Sequence, residues 1–495
     1  MCALSFAVLF GTLGVRNQQH FGTWSYDMGI YDQGLWLLSR GHAFMTVRGL
    51  NFWGHHVNLV GLLFVPFYWL GAGPSFLYVV QACALALGAV PVYLIARDRL
   101  EQPWMGLLFA VVYLMYAPVQ WISWAMFHPE SLVIAPILFA WWFAARRRWG
   151  WFAAMVLFAL STREDAALAV IMLGLVLAVS AWREADRRVV LRVCGATSAL
   201  GLVWYLVATG IVIPHFNDGK VPFYVTSFYG DFGHSMSQVM WGMMRHPGRV
   251  ASDVVEHDRL RFYWQLSWPV GWTYLAHPLA LLIAAPQMLA SVLGGTPYAR
   301  MIKYQYTSMM IAPILIASIQ GAAVLWRFRV ARFVLPVWLL GCSFVTNAMW
   351  APSPLNSVDS RVWARADPRD DSLRHALALI PGGASVSASY ELLPHLSHRL
   401  HIYDWPNPFV PSVWGNDDCA HLPNPTIVEY VVLDQRNVGE GNQTLLADMT
   451  TVGGPFATVY SDDVVIVLHR VGTSVEVDRA PQLRACADLG ANLSP

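Results

Sequence analysis

Charged side chains are scarce in this sequence, because Asp, Glu, Lys and Arg together make up only 13% of its 495 residues. The formal net charge is +1, so no overall electrostatic field favours nucleic acid as a partner. The six cysteines are scattered, without a CxxC pair or a spacing typical of zinc ligands, which argues against a structural zinc site. The sequence also lacks internal repeats and low-complexity segments, which argues against a repeat architecture.

Hydrophobic residues, in contrast, make up 56% of the chain, and the mean hydropathy is +0.43. A soluble domain cannot bury that much apolar surface, so the composition predicts a polytopic membrane protein. We interpret the first apolar run, residues 1–15, as a transmembrane helix rather than a signal peptide. No small-residue cleavage site precedes Arg16, and further apolar spans follow it.

Nine segments are candidate membrane spans, given that a bilayer core needs roughly 20 apolar residues per helix. They are residues 1–15, 75–96, 103–119, 130–145, 149–161, 165–182, 190–213, 305–326 and 331–350. Four of the connections between them are rich in arginine, namely 97–99, 146–148, 183–192 and 327–332. Positively charged loops stay in the cytoplasm, and nine spans with a cytoplasmic N-terminus put all four connections there.

Two more apolar stretches must then not cross the bilayer. Residues 57–72 are predicted to form a juxtamembrane helix at the outer interface, and residues 268–292, interrupted by Pro278 and Pro286, to dip in and return. Each could instead be a true span, so the prediction is an α-helical polytopic domain of about 9–11 transmembrane helices over residues 1–350. Its long outer loops would be 16–74 and 214–267.

The tail, residues 351–495, is more polar and has strand-like runs at 384–388, 430–433 and 464–468. A helical pattern at 373–379 precedes the first of them, so a small extracytoplasmic α/β domain is predicted. An exported domain can form disulfides, and Cys419 and Cys486 are the only pair that this domain offers.

The polar residues that need an explanation collect on the predicted outer face. They are Asp27, Asp32, His55, His56, His128, Glu130, Arg163, Glu164, Asp165, Tyr304 and Tyr306. A general base needs a carboxylate or an imidazole within reach of a hydroxyl, and a phosphate leaving group needs a cation or a helix N-terminus. Carboxylates beside a bilayer are costly to desolvate, so they tend to be functional. This face is therefore a candidate active site for a lipid-linked substrate.

Structural interpretations of the same residues stay open at this point. Asp27 is a candidate helix N-cap, and a helix running through Asp27 and Asp32 would put them about 140° apart, too far for a catalytic pair. The sequence Ser161-x-x-Glu164 matches a capping box. His128 and Glu130 are of ligand type, so they are candidates for holding a divalent metal ion.

Several segments together resemble a known family. They are Tyr26-Asp27-Met28-Gly29-Ile30-Tyr31-Asp32-Gln33, Phe127-His128-Pro129-Glu130, Arg163-Glu164-Asp165, Tyr304-Gln305-Tyr306-Thr307-Ser308, Val386-Ser387-Ala388 and the run from Leu392 to Arg399. The family comprises bacterial and archaeal polytopic membrane proteins described as a domain of unknown function. It resembles in turn the C-superfamily glycosyltransferases (GT-C), such as protein O-mannosyltransferases and aminoarabinose transferases. The family often has a histidine where this chain has Gln305, which weakens the case for a role there.

The resemblance implies a GT-C-like fold and an inverting glycosyltransferase of the plasma (inner) membrane. The donor would be a polyprenyl-phosphate-linked sugar, and the acceptor a glycan, lipid or protein of the cell envelope. Asp27 matches the position of the general base in the first outer loop. The resemblance raises the claims of Asp27, His128, Glu130, Glu164 and Asp165, and Asp32 would orient the donor or the acceptor. The outward cations available for the phosphate are Arg163, Arg300 and Lys303. Arg163 is the first choice because it lies within the motif. A lipid-linked sugar flippase and a non-catalytic assembly partner are the alternatives.

Overall fold

The computed structural model describes residues 1–182, 186–219, 225, 228–353, 355–356, 366–412, 414, 419, 422–472 and 475–488. The chain forms two compact units. The first unit consists of Met1–Gly14, His56–Gly61 and Tyr78–Val362, and the second of Val15–His55, Leu62–Leu77 and Trp363–Pro495. The second unit therefore contains most of the first predicted outer loop as well as the tail.

Helices make up the first unit. In chain order they are Cys2–Gln19, Pro74–Leu87, Ala89–Leu100, Pro103–Met115, Ala117–Trp124, Ile134–Ala145, Trp149–Thr162, Ala166–Ser180, Arg187–Val207, Ile213–Phe216, Met236–Arg245, Pro247–Val254, His257–Ser267, Ala285–Leu293, Ser308–Leu325 and Ala331–Trp350. One helix, or a series of consecutive helical elements, covers each of the nine segments predicted to span the membrane. The apolar runs favour this state because a helix satisfies its own backbone hydrogen bonds where no water is available.

Within the described residues, four helices are long and apolar enough to cross a membrane: Pro74–Leu100, Arg187–Phe216, Gln305–Leu325 and Ala331–Trp350. A fifth would be the pair Pro103–Met115 and Ala117–Trp124, which is bent by 49°. The helices Pro129–Ala145, Trp149–Thr162 and Ala166–Ser180 are apolar but shorter. Residues 57–72 form a short helical turn at Leu59–Leu63 and the helix Val65–Trp69, and residues 268–292 form short helical turns and the helix Ala285–Leu293.

The arginine-rich connections meet at one end of the first unit. Arg146 contacts Asp98 at 2.6 Å, so the connection after the second predicted span touches the connection after the fourth. Arg147 contacts Asp186 at 2.7 Å, which adds the connection at 183–192. Three of the four basic connections therefore share one end of the helices, as the charge pattern predicts.

The second unit is built on a mixed five-stranded sheet. Its strands are β3 (Val386–Ala388), β4 (Ile402–Asp404), β5 (Tyr430–Asp434), β6 (Phe456–Ser461) and β7 (Val465–Arg470), in the order β4-β3-β5-β7-β6. The strand β3 is parallel to β4 and β5, whereas β7 is antiparallel to β5 and β6. A two-stranded hairpin pairs β1 (Phe44–Met45) with β2 (Leu50–Asn51).

The helices of this unit are Ile30–Leu38, Phe52–His55, Val65–Trp69, Asp370–Ala378, Gln443–Thr450 and Val475–Asp488. Three predicted strands correspond to β3, β5 and β7, and the predicted helix at 373–379 to Asp370–Ala378. The strands β4 and β6 were not predicted, because β4 has only three residues and β6 is mostly exposed and therefore lacks an apolar alternation. Cys419 and Cys486 form a disulfide with Cα atoms 6.0 Å apart.

Candidate functional site

Asp27 lies in a strained turn between the first helix and the helix Ile30–Leu38. Its backbone has φ 66° and ψ −79°, a rare γ-turn conformation that is costly for a residue other than glycine. The helix begins only at Ile30, with Gly29 in the N-cap position, so the prediction of Asp27 as an N-cap is wrong. The predicted angle of about 140° also does not apply, because no helix runs through both aspartates.

Asp27 is half-buried and sits against the end of strand β3. The backbone N–H of Ser25 donates to the carbonyl of Tyr390 at 2.8 Å. The ring of Tyr390 lies 5.8 Å from that of Trp24 and 5.9 Å from that of Tyr26. Burial raises the pKa of Tyr390, and the neighbouring Asp27 carboxylate adds to that rise. The turn is thus built onto the sheet of the second unit, with its carboxylate still within reach of solvent.

Asp404 ends strand β4 in the same region, and sequence analysis did not single it out. Burial raises the pKa of Asp404 to about 7, with Glu391 adding to the rise and the hydroxyl of Ser25 opposing it. The signal that could have found both Tyr390 and Asp404 is their position, because side chains that follow parallel strands gather at one edge of a sheet.

Asp32 has a different environment from Asp27, although only five residues separate them. It is fully buried, and its Oδ1 accepts from the hydroxyl of Tyr68 at 2.7 Å. Its Oδ2 accepts from the hydroxyl of Ser397 at 2.5 Å and lies 3.0 Å from Nε2 of His398. Hydrogen-bond donors from two distant parts of the chain therefore meet at the Asp32 carboxylate, which links these two parts to the helix Ile30–Leu38.

The adjacent histidines 55 and 56 have separate neighbours. The ring of His55 lies 6.3 Å from that of Tyr31, within the second unit. His56 belongs to the first unit, where its Nδ1 is 2.7 Å from Oε1 of Glu164. The two histidines therefore have different surroundings, although they are adjacent in the sequence.

Glu164 is buried and holds the start of the segment that follows His56. Its Oε2 accepts from the backbone N–H of Val57 at 3.0 Å. Burial opposes ionisation, but the charge and hydrogen bond of His56 and the charge of Arg163 lower the pKa of Glu164 to about 2. The capping-box interpretation is wrong, because the hydroxyl of Ser161 donates to Phe158 and the next helix begins at Ala166.

Arg163 is held between two carboxylates of the first unit. Its Nη1 contacts Oε1 of Glu130 at 2.5 Å, its Nε donates to Oδ1 of Asp165 at 2.9 Å, and its Nη2 contacts the other oxygen of Asp165. With Glu164 beside them, three carboxylates surround one guanidinium. Its positive charge is therefore already compensated, which works against the phosphate role predicted for Arg163.

His128 is positioned by a buried glutamine that sequence analysis missed. The side-chain oxygen of Gln81 accepts from the backbone N–H of His128 at 2.9 Å and from the hydroxyl of Ser131 at 3.0 Å. Its amide nitrogen donates to the carbonyl of Ile122 at 2.7 Å. A fully buried glutamine inside an apolar span was the available signal.

No group of three His, Cys, Asp or Glu side chains arranged to hold a metal ion is found among the described residues. Glu130, one of the two candidate ligands, has one carboxylate oxygen taken by Arg163. His128 and Glu130 alone therefore do not fit a divalent metal site in the part of the chain that the structure describes.

Tyr304 and Tyr306 belong to an aromatic group in the first unit. Both rings lie 6.1 Å from that of Tyr298, and Tyr306 lies 6.2 Å from Phe228. Lys303 is exposed beside them, with its Nζ 4.8 Å from the ring centre of Trp121. Arg300, in contrast, is buried and pairs with Asp258 at 2.7 Å. Lys303 is therefore the accessible cation among the three that the sequence offered for a phosphate.

The predicted site residues thus fall into two sets. Asp27, Asp32 and His55 lie in the second unit. The other eight predicted residues, from His56 to Tyr306, lie in the first unit, as does Lys303. Within each unit the structure brings predicted residues together, most clearly Glu130, Arg163 and Asp165.

Comparisons with known proteins place this architecture. A crystal structure of ArnT from Cupriavidus metallidurans bound to undecaprenyl phosphate is similar over 95% of this chain and 98% of that one, with a TM-score of 0.52 and 13% sequence identity. This likeness confirms the predicted GT-C-like fold. A comparison with proteins of curated function gives no match. Residues 19–466 match the family described as a predicted membrane protein (DUF2079), and this match over most of the sequence shows that the chain belongs to that family.

Proposed function

We propose that this protein is a GT-C-type glycosyltransferase that uses a sugar linked to a polyprenyl phosphate. The observation that carries this proposal is the likeness in fold, over 95% of the chain, to ArnT, a protein whose structure holds undecaprenyl phosphate. The apolar helices of the first unit are suited to a donor whose lipid tail stays in the bilayer. The acceptor would be a glycan, lipid or protein of the cell envelope.

The proposed reaction is a single displacement at the anomeric carbon of the donor. A base takes the proton of an acceptor hydroxyl while the oxygen forms a bond to that carbon. The bond between the carbon and the phosphate oxygen breaks, and its electron pair leaves with the polyprenyl phosphate. Attack from the face opposite to the phosphate inverts the configuration.

Asp27 is the proposed base. It is half-buried, so a hydroxyl can reach it, whereas the equally conspicuous Asp32 is enclosed by its donors. Its strained backbone supports the proposal, because strain of this kind persists mainly where the surrounding structure enforces a particular placement. Asp32 is proposed as a positioning residue. It would hold the helix Ile30–Leu38 in place, and the turn that carries Asp27 leads directly into this helix.

Lys303 is proposed to contact the donor phosphate, in place of Arg163. An exposed ammonium group can meet a phosphate directly, whereas a phosphate at Arg163 would meet the charges of Glu130 and Asp165. Arg163 would then organise the carboxylates of its cluster. His55, His56, His128, Glu130, Glu164, Asp165, Tyr304 and Tyr306 keep the predicted role of shaping the substrate pocket.

The proposed location is the plasma (inner) membrane, with the tail outside the cytoplasm. The contacts of Arg146 and Arg147 support it, because they group three basic connections at one end, and such connections face the cytoplasm.

Transfer of radiolabelled sugar from synthetic polyprenyl-phosphate donors, with the protein in lipid nanodiscs, tests the proposed function. Loss of label from the donor with release of polyprenyl phosphate would support an enzyme. Movement of intact donor across vesicle bilayers without its cleavage would instead identify a flippase. Neither cleavage nor movement, together with no bound polyprenyl phosphate in the purified protein, would indicate an assembly partner.

A further inference from the structure

A cleft of about 460 Å³ lies in the second unit, where the strands β3 and β5 end. In the sheet order β4-β3-β5-β7-β6, the chain continues from β3 to the strand on one side and from β5 to the strands on the other. The loops that follow these two neighbouring parallel strands therefore diverge. Such a point of divergence, at the carboxyl ends of the strands, is where open α/β sheets bind their ligands.

The side chains around the cleft are mixed in chemistry. Tyr390 and Glu391 come from the loop after β3, and Arg436, Asn437 and Gln443 from the segment after β5. Together they present an aromatic ring, a carboxylate, a guanidinium and two carboxamides. Hydrogen-bond donors and acceptors are thus both present within one cavity of small-molecule size.

One carboxylate oxygen of Glu391 accepts no hydrogen bond from the described residues. Its Oε1 accepts from the side-chain amide of Asn437. Its Oε2 is buried and has no hydrogen-bond partner among the described residues. Burial also raises the pKa of Glu391. Leaving a buried acceptor without a hydrogen bond is unfavourable, so a ligand donor that a small movement of Glu391 brings to Oε2 would be favoured.

The chemistry of the cleft favours a neutral ligand. The guanidinium of Arg436 lies 3.7 Å from the carboxylate of Asp434, which balances its charge. The loop after β3 begins Ser389-Tyr390-Glu391-Leu392, without a glycine. Gly439, from the segment after β5, lines the cleft, but a glycine alone is a weak signal for a phosphate site. Paired donors and acceptors beside a ring suit a sugar, whose hydroxyls both donate and accept and whose C–H face packs against an aromatic side chain.

The same tyrosine joins the cleft to the turn that carries the candidate base. Tyr390 lines the cleft, while its carbonyl accepts from Ser25 and its ring lies beside Trp24 and Tyr26. We propose that this cleft is a subsite for a neutral, hydroxyl-rich sugar ring of the acceptor, with Glu391 and Asn437 bonding its hydroxyls and Tyr390 packing against its face. That the sugar is an acceptor rests on the proposed function; that the cleft binds a sugar does not.

The test uses the full chain in nanodiscs and the methyl glycosides of glucose, mannose, galactose, arabinose and N-acetylglucosamine as probes. Saturation-transfer NMR measures binding of each glycoside, and donor cleavage in the presence of the same glycosides as acceptors is followed in parallel. The variants are Glu391→Gln, Asn437→Ala and Tyr390→Ala. The matched control is Asp371→Asn, which removes an exposed carboxylate of the same unit that does not line the cleft. Melting curves verify that each variant is folded.

We expect at least one glycoside to bind the unmodified protein, with the ring protons receiving most of the transfer. Binding should weaken by about fivefold or more in Glu391→Gln and Asn437→Ala, as loss of one hydrogen bond implies, and should stay unchanged in Asp371→Asn. Absence of binding for all five glycosides, or equal binding by every folded variant, would overturn the proposal even if the donor is cleaved. Glycoside binding without donor cleavage would uphold the sugar site and contradict the proposed function.

Discussion

Two aspartates in one short segment have opposite environments. Asp32 is fully enclosed, and two hydroxyls and an imidazole meet its oxygens. Asp27 is half-buried in a strained turn, next to Tyr390. The same contrast exists between two cations of the first unit, since Arg163 lies between carboxylates and Lys303 is exposed over Trp121. Charges that are fully engaged hold a fold together, whereas accessible charges are available for chemistry.

The sharpest test of this contrast is Asp27→Asn. We expect sugar transfer to fall by about 10²–10⁴-fold, the range for loss of a general base, while the melting temperature stays within about 2 °C of the unmodified protein. Transfer of radiolabelled sugar and thermal melting measure the two effects. Retention of most of the transfer activity in a folded Asp27→Asn protein would remove Asp27 as the base.

Replacing Asp32 should reduce stability more than activity, the reverse of the effect expected for Asp27→Asn. In Asp32→Ala the hydroxyls of Tyr68 and Ser397 lose their acceptor, and we expect a loss of about 3 kcal/mol in the free energy of unfolding of the second unit. Transfer per folded molecule should fall much less than in Asp27→Asn. If Asp32→Ala melts normally but loses all transfer, Asp32 has a direct chemical role and the contrast between the aspartates fails.

Replacement of Lys303 or Arg163 should have smaller effects, on the donor KM in one case and on the melting temperature in the other. Lys303→Met should raise the donor KM by about tenfold, as expected for loss of one charged contact, and Lys303→Arg should restore most of the affinity. Arg163→Met should instead lower the melting temperature, because it leaves Glu130 and Asp165 without their partner. Steady-state kinetics with varied donor distinguish the two, and an unchanged KM in Lys303→Met would contradict the phosphate role.

Asp404 gives a further test, through the pH dependence of stability rather than through activity or affinity. The folded protein holds the proton of Asp404 up to a pKa of about 7, whereas the unfolded chain releases it near pH 4. Between these values the folded state binds more protons, so this group lowers stability as the pH rises from about 4 to 7. Asp404→Asn should flatten that part of the melting profile, and Asp371→Asn should not. An unaltered slope in Asp404→Asn would show that Asp404 ionises normally.

Sequence patterns were sufficient for the apolar helices of the first unit and for much of the tail, but not for the three helices within the predicted outer loop 214–267. Each predicted span has a helix because long apolar runs leave few other ways to satisfy the backbone, and arginines separate the runs. The strands β4 and β6 were missed because short or exposed strands lack a clear alternation. The capping-box interpretation of Glu164 failed for a related reason, since the local motif competes with the non-local contact to His56.

Many residues of the candidate site could be predicted from the sequence, but their contacts could not. The outward acids, histidines and Arg163 could be named from their position between spans, yet Gln81, Tyr390 and Asp404 could not. Their claim comes from burial and from neighbours far along the chain. The phosphate role illustrates the limit, because Arg163 stands in a recognisable motif whereas Lys303 is favoured only by exposure.

The sequence by itself determined the membrane class, the positions of the apolar helices and the α/β character of the tail. These follow from local composition and periodicity, which act over one helix or strand at a time. Only the tertiary structure decided which aspartate is enclosed, since the hydroxyl that meets Asp32 comes from Ser397, 365 residues away. Burial and pairing of charge depend on such distant contacts, and they separate Asp27 from Asp32 where the local sequence does not.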